Sequence, residues 1–220
     1  SDVAVKGALV FDIIMAIIVG GVFFNVQDNS SGAFNRGGAI FFAIMYNCFN
    51  ALASVPLILR GRAVSSKHNS YLLYRTYIQP FCAQMTNVPF AITTVVGWSV
   101  VNYWMVGLRP SAAAFFTYIA FLFCANQSFG GIVRTIASSS IDLNTATMAN
   151  NIILLVLVIY AGYIITYPTM LKWAFWIFWI NPLAYTIKSL LQNEFNGITL
   201  NCEGAIIPAG GAYDSLPEIN

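Results

Sequence analysis

Ala112-Ala113-Ala114-Phe115-Phe116-Thr117-Tyr118-Ile119-Ala120-Phe121-Leu122-Phe123-Cys124-Ala125-Asn126-Gln127-Ser128-Phe129-Gly130-Gly131-Ile132-Val133 contains no charged side chain. A helix needs about 20 such residues to cross roughly 30 Å of hydrocarbon. Four further apolar runs, 8–26, 37–59, 79–106 and 149–167, reach a similar length. Inside lipid only helices and closed barrels satisfy the backbone, and none of these runs alternates as a barrel strand does. The expected fold is therefore all-α: a polytopic transmembrane helical domain with five spans.

Composition points the same way. Hydrophobic residues make up 58% of the chain and charged residues 8%, against about 25% charged in a soluble domain. A net charge of +2, with no basic cluster interleaved with aromatics, excludes a nucleic-acid-binding face. The first run lacks a signal-peptide cleavage site and leads straight into a second apolar run. The chain begins without Met and is read as a segment of a longer polypeptide.

The basic residues fall mainly in alternate gaps. Lys6 precedes the first run, Arg60, Arg62, Lys67 and Arg75 follow the second, and Arg134 follows the fourth. The opposite gaps hold Arg36 and Arg109, with Asp28. The positive-inside rule then places the N-terminus and the 60–78 loop in the cytoplasm. Five crossings leave 168–220 outside, with 198–220 an extracellular loop. Cys48, Cys82 and Cys124 lie within or at the ends of spans, and Cys202 lies in the outer tail, where disulfides persist. Its partner is expected beyond residue 220, before a sixth span; a free thiol or an intermolecular bridge is the alternative. The sequon at Asn29 falls in an outer gap too short for glycosylation to be expected.

Residues 168–197 read differently. Pro168 ends the fifth run, and Lys172-Trp173-Ala174-Phe175-Trp176-Ile177-Phe178-Trp179-Ile180 concentrates tryptophans, which favour the membrane interface. Asn181-Pro182 interrupts, and a second short helix runs from Leu183 to Phe195. Each piece is too short to span. A re-entrant pair over 170–197 in the outer leaflet is expected. A single broken sixth span is the competing reading and would place Glu194 and Cys202 inside.

Asn181-Pro182-Leu183-Ala184-Tyr185, followed by Ser189-Leu190-Leu191-Gln192-Asn193-Glu194-Phe195-Asn196-Gly197, resembles a signature of G-subfamily ABC exporters, most closely the fungal pleiotropic drug resistance type. Three more stretches match in order: Ser31 to Gly38 with Phe41-Phe42, Lys67-His68 with Tyr71, Leu73 and Tyr74, and Ile159-Tyr160-Ala161-Gly162. The chain departs from the pattern at Ser66, where an acid is common, at Lys188, where Glu is common, and at Arg75-Thr76, where His-Pro is common. The resemblance implies the first of two ABC-2 type membrane domains in a full-length exporter. That transporter would move hydrophobic small molecules such as drugs outward by alternating access; a lipid or secondary-metabolite exporter of the same architecture is the alternative. A plasma-membrane location would follow.

No Gly-rich Lys-Ser/Thr phosphate loop occurs, so the segment has no catalytic site for ATP. The resemblance places ATP and Mg in an adjoining nucleotide-binding domain of the same polypeptide, docking on the coupling loop at Arg60, Arg62, Lys67, His68 and Tyr71. Plain positive-inside anchoring would equally explain Arg60, Arg62 and Lys67. Helical spacing sets Phe42, Tyr46 and Phe49 on one stripe and Asn151, Leu155 and Val158 on another. The resemblance makes both stripes substrate-binding; helix–helix packing is the competing reading. Tyr163 and Ile164 are its implied outer gate. Membrane lipid, a hydrophobic substrate, the motor domain and a second membrane half are the expected partners, with no nucleic acid.

His68, without nearby Cys or carboxylates, makes no metal site. Asn47, Asn50, Asn126, Gln127 and Ser128 read as interhelical hydrogen-bonding groups. Asp12, the acid within a span, reads as a structural group reaching the interface near Lys6. An intramembrane enzyme would need a nucleophile or a His–acid pair at membrane depth, and the chain offers neither.

Overall fold

A computed structural model of the chain describes residues 2–26, 30–71, 78–165 and 170–196. All regular structure among them is helical: α1 (Asp2–Val22), α2 (Ser30–Leu52), α3 (Val55–Ser70), α4 (Ile78–Val106), α5 (Ala112–Ser139), α6 (Leu143–Ile159), α7 (Phe175–Ile180) and α8 (Pro182–Phe195). A 3-10 turn, Lys172–Ala174, leads into α7. Gly32–Ser70 and Ala112–Ser139 are long and apolar enough to cross a membrane by length and composition.

α5 is the central column, touching α2, α3, α4, α6 and α8. Its buried residues, Ala114, Tyr118, Leu122, Ala125, Phe129, Val133 and Ala137, recur every three or four positions, so one stripe faces the bundle. Within lipid there is no hydrophobic drive between helices, and close packing must supply the cohesion. Small residues permit that approach. Ala39 and Ala43 of α2 are fully buried in the core cluster, and a Cβ added at Gly20 of α1 would lie 2.8 Å from the Met105 Cβ of α4.

The helix ends differ from the apolar runs by several residues in places, and two of the runs are interrupted. The 37–59 run is broken. α2 ends at Leu52, and Ala53 and Ser54 donate their N–H groups to Asn50 and Ala51 in a tight turn. α3 then starts with Pro56 in its first turn. Pro lacks the N–H that would continue α2, but it suits the first turn of a new helix. The expected 60–78 loop is thus helical through Ser70, and 72–77 lie outside the described residues. The fifth helix also stops early, at Ile159 rather than 167. Gly162 takes φ +91°, a left-handed conformation that ends the helix. Tyr163 and Ile164 therefore lie past the helix end.

The expected break at Asn181-Pro182 is present. Asn181 caps α8: its Oδ1 accepts the Leu183 N–H at 3.0 Å, while its Nδ2 donates to the Leu157 carbonyl of α6 at 2.7 Å. One buried amide joins the start of α8 to the end of α6.

Candidate functional site

On α2 the aromatic stripe divides. Phe42 and Phe49 are 49% and 51% exposed. Tyr46 turns inward, its ring stacked on Trp98 at 3.9 Å and its hydroxyl donating to Asp12 Oδ1 at 2.5 Å. On α6, Asn151 and Leu155 are exposed and Val158 is buried. α2 and α6 touch, so Phe42, Phe49, Asn151 and Leu155 stand open on adjacent helices, whereas Tyr46 and Val158 serve packing within the bundle.

Asp12 is held inside the bundle. It is 5% exposed, and Asn50 Nδ2 joins Tyr46 as a donor at 3.0 Å. A carboxylate inside a helical bundle must be met by donors from that bundle, and these come from α2, one turn apart. Between helices, Gln84 Nε2 donates to Gln127 Oε1 at 2.6 Å, and Asn126 Nδ2 reaches the Asn47 carbonyl at 3.4 Å. Asn47 itself donates back to Ala43 within α2.

Tyr163 closes over the start of α2. Its ring stacks on Phe41 at 4.8 Å and on Phe34 at 6.1 Å, and its hydroxyl donates to the Phe34 carbonyl. A Cβ at Gly37 would come within 3.1 Å of that ring, so the glycine leaves the space the tyrosine occupies. Ile164 is exposed.

The coupling residues separate as well. Arg60, Lys67 and Tyr71 are exposed on α3 and its end, and His68 is half-buried. Arg62 is committed elsewhere: it donates to the carbonyls of Ala137, Ser138 and Ser140 at 2.6–2.7 Å. The last turn of a helix leaves carbonyls unpaired and carries partial negative charge, which a cation satisfies. Arg62→Ala in the full-length polypeptide is expected to cost about 1 kcal/mol of stability, read as a lowered thermal midpoint. An unchanged midpoint would show that the clamp contributes nothing.

At the opposite end lies a cluster that the spacing of the sequence did not reveal. Glu194 of α8 is 2% exposed. Its Oε1 meets Arg36 Nη1 of α2 at 2.5 Å, and the Arg109 N–H donates to both carboxylate oxygens at 3.1 and 3.2 Å. The Arg109 side chain donates to the Asn196 carbonyl, its own carbonyl accepts the Tyr103 hydroxyl, and Asn193 donates to the Ala114 carbonyl. The only available sequence signal was that Arg36, Arg109 and Glu194 all fall on one predicted side.

Among the described residues no three His, Cys, Asp or Glu side chains gather as a metal site. Cys48 is buried and Cys82 and Cys124 are exposed thiols. Cys202 and Asn29 lie outside the described residues.

The family profile for ABC-2 type transporters matches residues 3–195. ABC multidrug transporter C of Aspergillus fumigatus is 33% identical over 95% of the chain, and multidrug resistance protein CDR2 of Candida albicans is 32% identical over 97%. Protein SNQ2 of Saccharomyces cerevisiae is 30% identical over 94%. The chain spans 14% of the length of each of these relatives.

Proposed function

The chain belongs to the ABC-2 type transporter family, and from that premise we propose that it is the membrane half of an ATP-driven exporter of hydrophobic small molecules. The observation that carries this reading is the similarity, along nearly its whole length, to proteins named as multidrug transporters. ATP and Mg are held by an adjoining nucleotide-binding domain, which pushes on α3 through Arg60, Lys67, His68 and Tyr71. Substrate lies against Phe42, Phe49, Asn151 and Leu155, with a second membrane half completing the chamber. Exposed rings with few polar groups suit flat, apolar compounds of varied chemistry. Tyr163 and Ile164 form the outer gate.

Charge supports an inside N-terminus and an exporter that ejects cargo on the Glu194 side. Arg60 and Lys67 are exposed on the α3 side, while Arg36 and Arg109 on the far side are bound to Glu194 and Asn196. Arg36 and Arg109 are thus internally satisfied, while Lys172 and Lys188 on the same side are exposed.

Dye efflux from cells expressing the full-length polypeptide tests the reading. Phe42→Ala/Phe49→Ala is expected to lower efflux by more than about tenfold, since each ring contributes on the order of 1.5–3 kcal/mol when covered by an apolar ligand. Basal ATP hydrolysis should persist. Wild-type efflux by the double variant would remove the substrate face, and vanadate-insensitive efflux would remove the ATP-driven mechanism.

A further inference from the structure

Beside the α2–α3 corner, away from the open aromatic face, lies a cavity of about 360 Å³. Asp12 of α1, Asn50 of α2, Asn87 of α4, and Asn126 and Arg134 of α5 all line it. Phe11 and Phe90 also line it, and both rings are exposed on the outside of the bundle. The cavity therefore reaches the lipid-facing surface between α1 and α4.

Its charges are incompletely met. Arg134 Nη1 is buried without a hydrogen-bond partner, and Arg134 makes no ion pair among the described residues. Asp12 receives both of its donors on Oδ1, which leaves Oδ2 without one among those residues. A cation and an anion thus line one cavity without pairing to each other. A buried donor left without an acceptor is costly, and a ligand carrying both signs would meet the Arg134 donor and the open Asp12 oxygen together. The apolar opening between Phe11 and Phe90 adds that it carries hydrocarbon.

We propose that this cavity binds the headgroup of an ethanolamine-type phospholipid from the leaflet on the α3 side, its phosphate on Arg134 and its ammonium on Asp12. The acyl chains leave between Phe11 and Phe90. A guanidinium is suited to a phosphate by its planar set of donors. Asp12 and the neighbouring asparagines offer acceptors that require N–H groups, which favours a primary ammonium. A quaternary ammonium is recognised by an aromatic cage instead, and the two rings here stand at the opening. The proposal concerns a resident lipid and is independent of the cargo on the aromatic face.

The full-length polypeptide, delipidated in detergent, would be titrated with four lipids of identical acyl chains: phosphatidylethanolamine, phosphatidylcholine, phosphatidic acid and diacylglycerol. Native mass spectrometry would count the bound lipid. The ethanolamine lipid should be retained at least about tenfold better than the diacylglycerol, as expected when a charge-assisted hydrogen bond is added. Asp12→Asn should abolish the preference for ethanolamine over choline while sparing phosphatidic acid. Arg134→Gln should lower retention of all three phosphate lipids, and Arg134→Lys should restore much of it. Equal retention of diacylglycerol by the unaltered protein would overturn the proposal without recourse to any variant. So would unchanged binding in Arg134→Gln. Displacement of the lipid by inorganic phosphate alone would reassign the site to a soluble phosphate compound.

Discussion

Glu194→Ala is expected to destabilise the full-length polypeptide by about 3–5 kcal/mol, the usual cost of breaking a buried ion pair from one side. The size follows from what remains. The Arg36 guanidinium, 6% exposed, would keep its charge at a buried position without the carboxylate. The Arg109 N–H would lose both oxygens that accept it. Glu194→Gln retains an acceptor without the charge and should fall between the two. Replacing both members, as Arg36→Met with Glu194→Met, should be milder than Glu194→Ala, because no uncompensated charge is left. Thermal midpoints in detergent by size-exclusion fluorescence would rank the three. A double variant no more stable than the single would mean that the site acts through shape rather than charge.

Asn181→Ala should be the next most damaging change, at roughly 2–5 kcal/mol. Its amide satisfies the Leu183 N–H and the Leu157 carbonyl at once, in a position with no solvent access. Each group left unpaired costs on the order of 1–3 kcal/mol. Asn181→Asp separates the contributions, since it keeps the capping acceptor and removes the donor to α6. Its midpoint should lie between those of the wild type and Asn181→Ala. If Asn181→Asp matched Asn181→Ala, the cap on α8 would carry no weight and the link to α6 would carry all of it.

The sequence shows well those features that depend on neighbours along the chain. Uncharged runs marked long helices, and Asn181-Pro182 marked the start of α8, because span length and capping are local properties. The Pro56 corner was missed because the hydropathy of 37–59 stays high across it. The early end of α6 was missed for the same reason: Tyr163 to Tyr167 remain apolar after the chain has already turned at Gly162. Helical spacing placed Phe42, Tyr46 and Phe49 together on one stripe. It could not tell which edge of the stripe met Trp98 and Asp12, since that depends on where α1 and α4 lie. Arg62 looked like any basic residue after a span, and only the arrival of α5 beside it gives the guanidinium its three carbonyls. The Arg36–Glu194 pair left no periodic trace at all.

That pair has a consequence for how the chain is made. Glu194 is synthesised 158 residues after Arg36, a delay of roughly 10–30 s at 5–20 residues per second. During that interval α1 to α6 can enter the bilayer and pack, while Arg36 and then Arg109 wait for their acid. The seam between α2 and α8 is thus sealed only once α8 itself has been made. Quality control that inspects unpaired arginines at this seam would, in effect, be checking whether α8 has arrived.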